Sequence, residues 1–114
     1  MLSQEEWSGR QRACREEAVR GLRESVHDEI ARLERQQEPH RRGDTLSYLY
    51  NLLTRKLEQL GRRYEALAEL RAYEDLMQRL QPHDGAGSDR QELAGRKARL
   101  EAAEKSEWGG SPRR

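Results

Sequence analysis

The chain has 114 residues, with 22 Lys and Arg set against 21 Asp and Glu, for a net charge of +1 with His neutral. That length allows one domain, and 38% charged against 33% hydrophobic residues leaves it only a thin core. The near balance of charge argues against a nucleic-acid module, which carries a marked basic excess. No Phe is present and the β-branched aliphatics are Val19, Val26 and Ile30, so a sheet core has almost no material and the class read from composition is all-α.

The chain opens with Ser3 and Glu6 at capping-box spacing, and Leu2 is placed to close on Trp7 as a hydrophobic staple. This predicts a first helix to about Gln37, with Trp7, Cys14, Ala18, Val19, Leu22, Val26, Ile30 and Leu33 on its apolar side. The stripe is sparse, and Gly9 and Gly21 weaken it. Cys14 is the single cysteine, so no intramolecular disulfide or cysteine-based metal site is expected. It should pack beside Ala18, and an intracellular, reducing compartment, cytoplasmic or nuclear, fits. The amino terminus lacks an apolar run with a basic lead, so neither a signal peptide nor a membrane span is read.

Pro39 stops this helix, residues 38–43 form a short charged turn, and Asp44 is a good cap for the next one. From there the apolar positions are Leu46, Leu49, Leu53, Leu57, Leu60, Tyr64, Leu67, Leu70, Tyr73, Met77 and Leu80, mostly three or four apart, with no proline and one glycine among residues 46–80. The successive steps of four at Leu49, Leu53 and Leu57 break a strict heptad, so an imperfect coiled coil or a bundle is expected. Leu52, Ala66, Ala68 and Leu76 widen the face enough for two or more neighbours. As one helix, residues 44–80 would run roughly 55 Å at about 1.5 Å per residue. The short connection makes residues 1–80 an elongated, coiled-coil-like antiparallel hairpin.

Residues 81–88, Gln-Pro-His-Asp-Gly-Ala-Gly-Ser, read as a flexible loop. A weaker third helix follows over residues 89–107, capped by Ser88 or Asp89, with apolar content mainly in Leu93, Ala94, Ala98, Leu100, Ala102 and Ala103. It completes a three-helix bundle in cis, or waits for a partner in an oligomeric helical bundle, or stays disordered. Residues 108–114 read as a disordered tail. Within it Ser111-Pro112-Arg113-Arg114 fits a proline-directed kinase site, so Ser111 is a candidate phosphorylation position, where close to two negative charges would be added.

Chemistry is hard to find. His27, His40 and His83 lie in separate contexts with no second ligand at metal-binding spacing. Gly85 and Gly87 follow no strand and lack a Walker lysine, and no Ser or Cys sits in a nucleophile elbow. No catalytic residue, metal, cofactor or small-molecule substrate is expected. Over about ten residues, from Leu22-Arg23 to Ile30, the chain resembles the opening helix of the all-α chorismate mutases, departing from their acidic and aliphatic pattern at His27 and Asp28. That resemblance implies an active site lined by Arg, Lys and Glu inside a bundle, and needs a buried arginine such as Arg23 or Arg71 turned into the core. Glu6 with Arg10, Glu16 with Arg20, Glu58 with Arg62, Glu92 with Arg96 and Glu101 with Lys105 stand at i, i+4 spacing and read as solvated helix faces. The doublets Arg41-Arg42 and Arg62-Arg63 read the same way, with phosphate or an acidic partner as the alternative.

The expected function is therefore a non-enzymatic protein-interaction module, a small helical subunit or adaptor of a larger assembly whose partner is a helical protein or a second copy. The expected partner-binding residues are Leu46, Tyr48, Leu49, Tyr50, Leu52, Leu53, Leu57, Leu60, Tyr64 and Leu67, because aromatic and leucine anchors bury area at low entropic cost. Tyr48 and Tyr50 stand about 200 degrees apart on a helix, so one of them points away from the hairpin. The alternatives are a self-contained homodimeric four-helix bundle and a small chaperone that masks a partner's amphipathic helix.

Overall fold

The computed structural model describes residues 3–83 and 87–109. Among these the regular elements are α-helices α1 (Gln4–Arg35), α2 (Asp44–Gln59), α3 (Arg63–Leu80) and α4 (Ser88–Gly109), with a single 3-10 turn at Glu38–His40. The described residues are all-helical, and no strand occurs among them. The capping box forms as the sequence predicts: the Ser3 hydroxyl accepts from the Glu6 amide, and the Glu6 carboxylate takes the Ser3 amide. Leu2, the other half of the expected staple, lies outside the described residues.

The long second helix does not exist as one rod. It breaks at Gly61, whose φ of +77° is a left-handed conformation that glycine adopts without steric cost. The turn is closed from behind: the Arg62 amide bonds the Leu57 carbonyl at 2.8 Å and the Gly61 amide bonds the Glu58 carbonyl at 2.9 Å. α3 then folds back along α2. The leucine stripe is thus bent onto itself, with Leu46, Leu53 and Leu57 of α2 and Leu67, Leu70 and Leu80 of α3 buried in one core. The neighbour that this stripe needed is largely its own second half.

α1 runs antiparallel to α2 and parallel to α3, as three cross-helix pairs show in order: Glu16 with Arg62 at 2.8 Å, Arg23 with Glu69 at 3.1 Å, and Glu34 with Arg79 at 2.9 Å. It contributes Val19, Val26 and Leu33 to the core. α4 lies along α2 and α3, parallel to the former and antiparallel to the latter, contributing Leu93 and Leu100. Four of the carboxylates expected in i, i+4 pairs, Glu16, Glu58, Glu92 and Glu101, instead reach arginines of another helix. Arg62 reaches Glu16 on α1, and Arg96 reaches Glu58 on α2 at 3.2 Å.

At one end, Arg41 gathers the chain. Its guanidinium donates to the carbonyls of Leu33, Gln36 and Leu80 at 3.0, 3.1 and 3.2 Å, satisfying acceptors left open at the ends of both α1 and α3. Beside it the His83 amide bonds the Arg41 carbonyl and the Gly43 amide bonds the His83 carbonyl. Residues 81–83 of the expected loop are held in this way, and residues 84–86 lie outside the described part. Asp44, expected as a cap, is instead the first residue of α2, and its carboxylate pairs with Arg42 at 3.1 Å. The expected tail falls partly within α4, which ends at Gly109, while residues 110–114, Ser111 included, lie outside the described residues.

The molecule is a slab of 51 × 49 × 22 Å rather than the expected rod. Its radius of gyration of 16.8 Å exceeds the ~13 Å of a compact chain of this length. The longest element is α1. Its 32 residues span about 48 Å at ~1.5 Å per residue, about twice the length of its neighbour α2.

Candidate interaction surfaces

Because α2 ends at Gln59, no helix among the described residues runs beside the beginning of α1. Every residue in 3–14 is exposed, Trp7 at 53% among them. Trp7, Gln11, Cys14 and Ala18 follow at helical spacing and continue the face that further along buries Val19 and Val26. Cys14, expected to be packed, is exposed for this reason. Shallow hollows flank the arm, one of about 350 Å³ lined by Trp7, Arg10, Gln11, Cys14 and Arg15. Where the arm passes the end of α2, a second of about 260 Å³ adds Gln59 and Leu60 to Ser8, Gly9 and Arg12. A helix this short is marginal in water by itself. Among the described residues, the Ser3 cap and the docked remainder of α1 hold it.

The expected partner-binding residues divide three ways. Leu46, Tyr50, Leu53, Leu57 and Leu67 are buried in the chain's own core, Leu49, Leu52 and Leu60 are half-buried, and Tyr48 and Tyr64 are exposed. Of the tyrosine pair that must diverge, Tyr50 points in and Tyr48 out. Tyr50 packs on Tyr73 with ring centroids 5.3 Å apart, and the Tyr73 and Ser47 hydroxyls share a buried hydrogen bond of 2.7 Å. Burial, reinforced by the nearby Glu69 charge, pushes the Tyr50 pKa up to about 12. The Tyr64 hydroxyl meets Glu107 of α4 at 2.5 Å, and Arg63 beside it pairs with the same carboxylate.

A polar seam that the sequence reading missed runs between α2 and α4. Asn51 is 3% exposed and Thr54 0%. The Arg96 guanidinium donates to the Asn51 side-chain oxygen at 2.7 Å and the Thr54 hydroxyl at 3.0 Å. The Asn51 amide nitrogen in turn donates to Asp89 at 2.8 Å and Glu92 at 3.2 Å. Burial pushes the Arg96 pKa down, with Glu58 acting against it, and Lys97 is raised by its hydrogen bond to Glu74. The available signal was the run Ser47, Asn51, Thr54, Glu58, a polar line at helical spacing directly beside the leucines. It reads as a solvated face until a second helix covers it.

Arg23 and Arg71, which the mutase resemblance needs in the core, are both exposed and pair with Glu65 and Glu69, and with Glu101 and Glu104. His27, His40 and His83 are exposed and far apart in the chain, and among the described residues no group of three or more His, Cys, Asp or Glu is placed to hold a metal ion. No helix among the described residues is long and apolar enough to cross a membrane. Comparison with known proteins gives no match to this chain, whether by family model, curated sequence or solved structure.

Proposed function

We propose that the chain is a non-enzymatic, intracellular protein-interaction module that docks on a helical partner through the arm of α1, residues 3–14. What supports this reading is one observation: a capped, fully exposed helical arm carrying a tryptophan, continuous with a face that is buried elsewhere on the same helix. Leaving a large aromatic in water forgoes roughly 1.5–3 kcal/mol of burial, and tryptophan is among the side chains that most often anchor interfaces. Glu5 and Glu6 at the tip, followed by Arg10, Arg12 and Arg15, give the arm a two-signed surface suited to an antiparallel helix of opposite order. The leucines that a homodimeric bundle would cover with a second copy are covered by the chain's own helices, so the arm takes over the docking role first assigned to them.

Site-specific photo-crosslinking of the full chain in its native cells tests this, with the crosslinker at Gln11, beside Trp7, and a control at Gln37, outside the arm. A single discrete adduct from position 11, absent from position 37 and lost in Trp7→Ala, is expected. An adduct of twice the 13.4 kDa chain mass would make the partner a second copy. No discrete adduct, or the same adducts from both positions, rejects the reading.

A further inference from the structure

A second surface, independent of the arm, lies under α4. Among the described residues of α4 only Leu93 and Leu100 are buried, and the rest of its attachment is polar. Arg96 is held by Asn51, Thr54 and Glu58, Lys97 by Glu74, and Arg99 by Glu58. The α2 surface beneath presents Asn51, Thr54 and Glu58 in place of leucines, so uncovering it exposes groups that water can satisfy. The fit is also incomplete. An open cleft of about 330 Å³ runs between α3 and α4, with Leu70, Tyr73 and Met77 on one side and Leu93, Ala94 and Lys97 on the other.

We propose that α4 is a displaceable cover, and that the α2–α3 face beneath it is a docking groove for an incoming amphipathic helix of α4's own pattern. That pattern is two leucines seven residues apart on either side of an arginine, with a larger apolar side chain where α4 has Ala94. Charge complementarity argues for this occupant, since Glu58 and Glu74 of the groove already accept an arginine and a lysine one position apart. The unfilled cleft beside Ala94 gives it an advantage over the resident helix. A well-filled seam would leave a competitor nothing to gain; this one leaves a side chain's worth of apolar contact unmade.

The test uses the full chain and fluorescent peptides of the sequence Ser88–Gly109, read by anisotropy. The native-sequence peptide is expected to bind weakly, and more weakly as salt is raised. The peptide carrying Ala94→Leu should bind about tenfold tighter and the one carrying Arg96→Ala about tenfold weaker, a step of about 1.4 kcal/mol each way. Equal binding by the three peptides, or none by any, overturns the groove. Native-state hydrogen exchange on the unmodified chain needs no variant to fold. Amides of α4 are expected to exchange at least tenfold faster than those of α2 and α3, and faster again in added salt. Shared protection across α2, α3 and α4 would make the bundle one cooperative unit and overturn the cover.

Discussion

α2 makes two seams from opposite materials. Toward α3 it offers Leu53, Leu57 and Tyr50 to Leu67, Leu70 and Tyr73, while toward α4 it offers Asn51, Thr54 and Glu58 to Arg96 and Arg99. Each leucine of the first seam is worth about 1.5–3 kcal/mol on burial. Around the rim of α4, exposed ion pairs such as Arg71 with Glu101 are worth about 0–1 kcal/mol each and are screened by salt. The first seam holds the molecule together. The second fixes where α4 lies, because a guanidinium must meet three acceptors at once, and contributes much less to whether the chain folds.

The sharpest way to break this comparison is to remove one leucine from each side. Leu57→Ala, at a site 0% exposed, is expected to cost about 2–5 kcal/mol and to lower the urea midpoint of the whole chain. Leu93→Ala empties a comparable volume, but beside a cleft that already exists, and is expected to cost less and to loosen α4 before α2 and α3. Denaturant melts of both variants by circular dichroism decide the matter. A Leu93→Ala penalty equal to or above that of Leu57→Ala would mean that α4 is as integral as α3.

A second test titrates the apolar seam. The Tyr50 pKa is raised from its ordinary 10.0 to about 12, first by burial and second by Glu69. The folded chain therefore holds the phenolic proton more tightly than the unfolded chain does. Its contribution is fully present below pH 10 and is lost as pH rises from 10 toward 12. At ~1.4 kcal/mol per pH unit, the gap amounts to about 3 kcal/mol. Stability measured by urea melts from pH 9 to 12 should fall along this slope in the native chain, and Tyr50→Phe should flatten it. An equal decline in Tyr50→Phe would place the alkaline sensitivity elsewhere.

The two seams also differ in how well the sequence announces them. The leucines of α2 and α3 were legible as a buried helical stripe, because spacing and hydrophobicity agree from Leu46 to Leu80. What spacing did not reveal is the turn at Gly61. The stripe stays in register across it, and a lone interior glycine, costing ~1 kcal/mol relative to alanine, is tolerable in a long helix. Leu60 and Gly61 together are a C-cap signal that the continuing pattern hid. Missing that turn turned a stripe satisfied within the chain into a partner-binding face. The polar seam was invisible for another reason. Asn51, Thr54 and Arg96 are individually ordinary on a wet helix, and only the return of α4 along α2 makes them interior. The N-terminal cap, a purely local motif, formed as read, but the exposure of Trp7 depends on where α2 stops and so could not be read locally.

Arg96 gives the smallest of these effects and the most discriminating one. Its side chain is 11% exposed, and its nitrogens serve Asn51, Thr54 and Glu58 together. Truncation strips the buried Asn51 side-chain oxygen of its donor but leaves the other groups partnered. The Asn51 amide nitrogen keeps Asp89 and Glu92, Thr54 keeps the Tyr50 carbonyl at 2.8 Å, and Glu58 keeps Arg99. Arg96→Ala is therefore expected to cost about 1–3 kcal/mol, the range for leaving one buried acceptor unpaired. Arg96→Met, which restores the stem without the charge, should recover the packing part of that, since desolvating the guanidinium offsets much of its pairing. It should leave most of the salt dependence of α4 docking in place, read as the difference in α4 amide exchange between low and high salt, because the more exposed pairs of Lys97 and Arg99 remain. If Arg96→Met were instead as damaging as Leu57→Ala, the guanidinium network would be part of what folds the chain, and the contrast between a holding seam and a locating seam would fail.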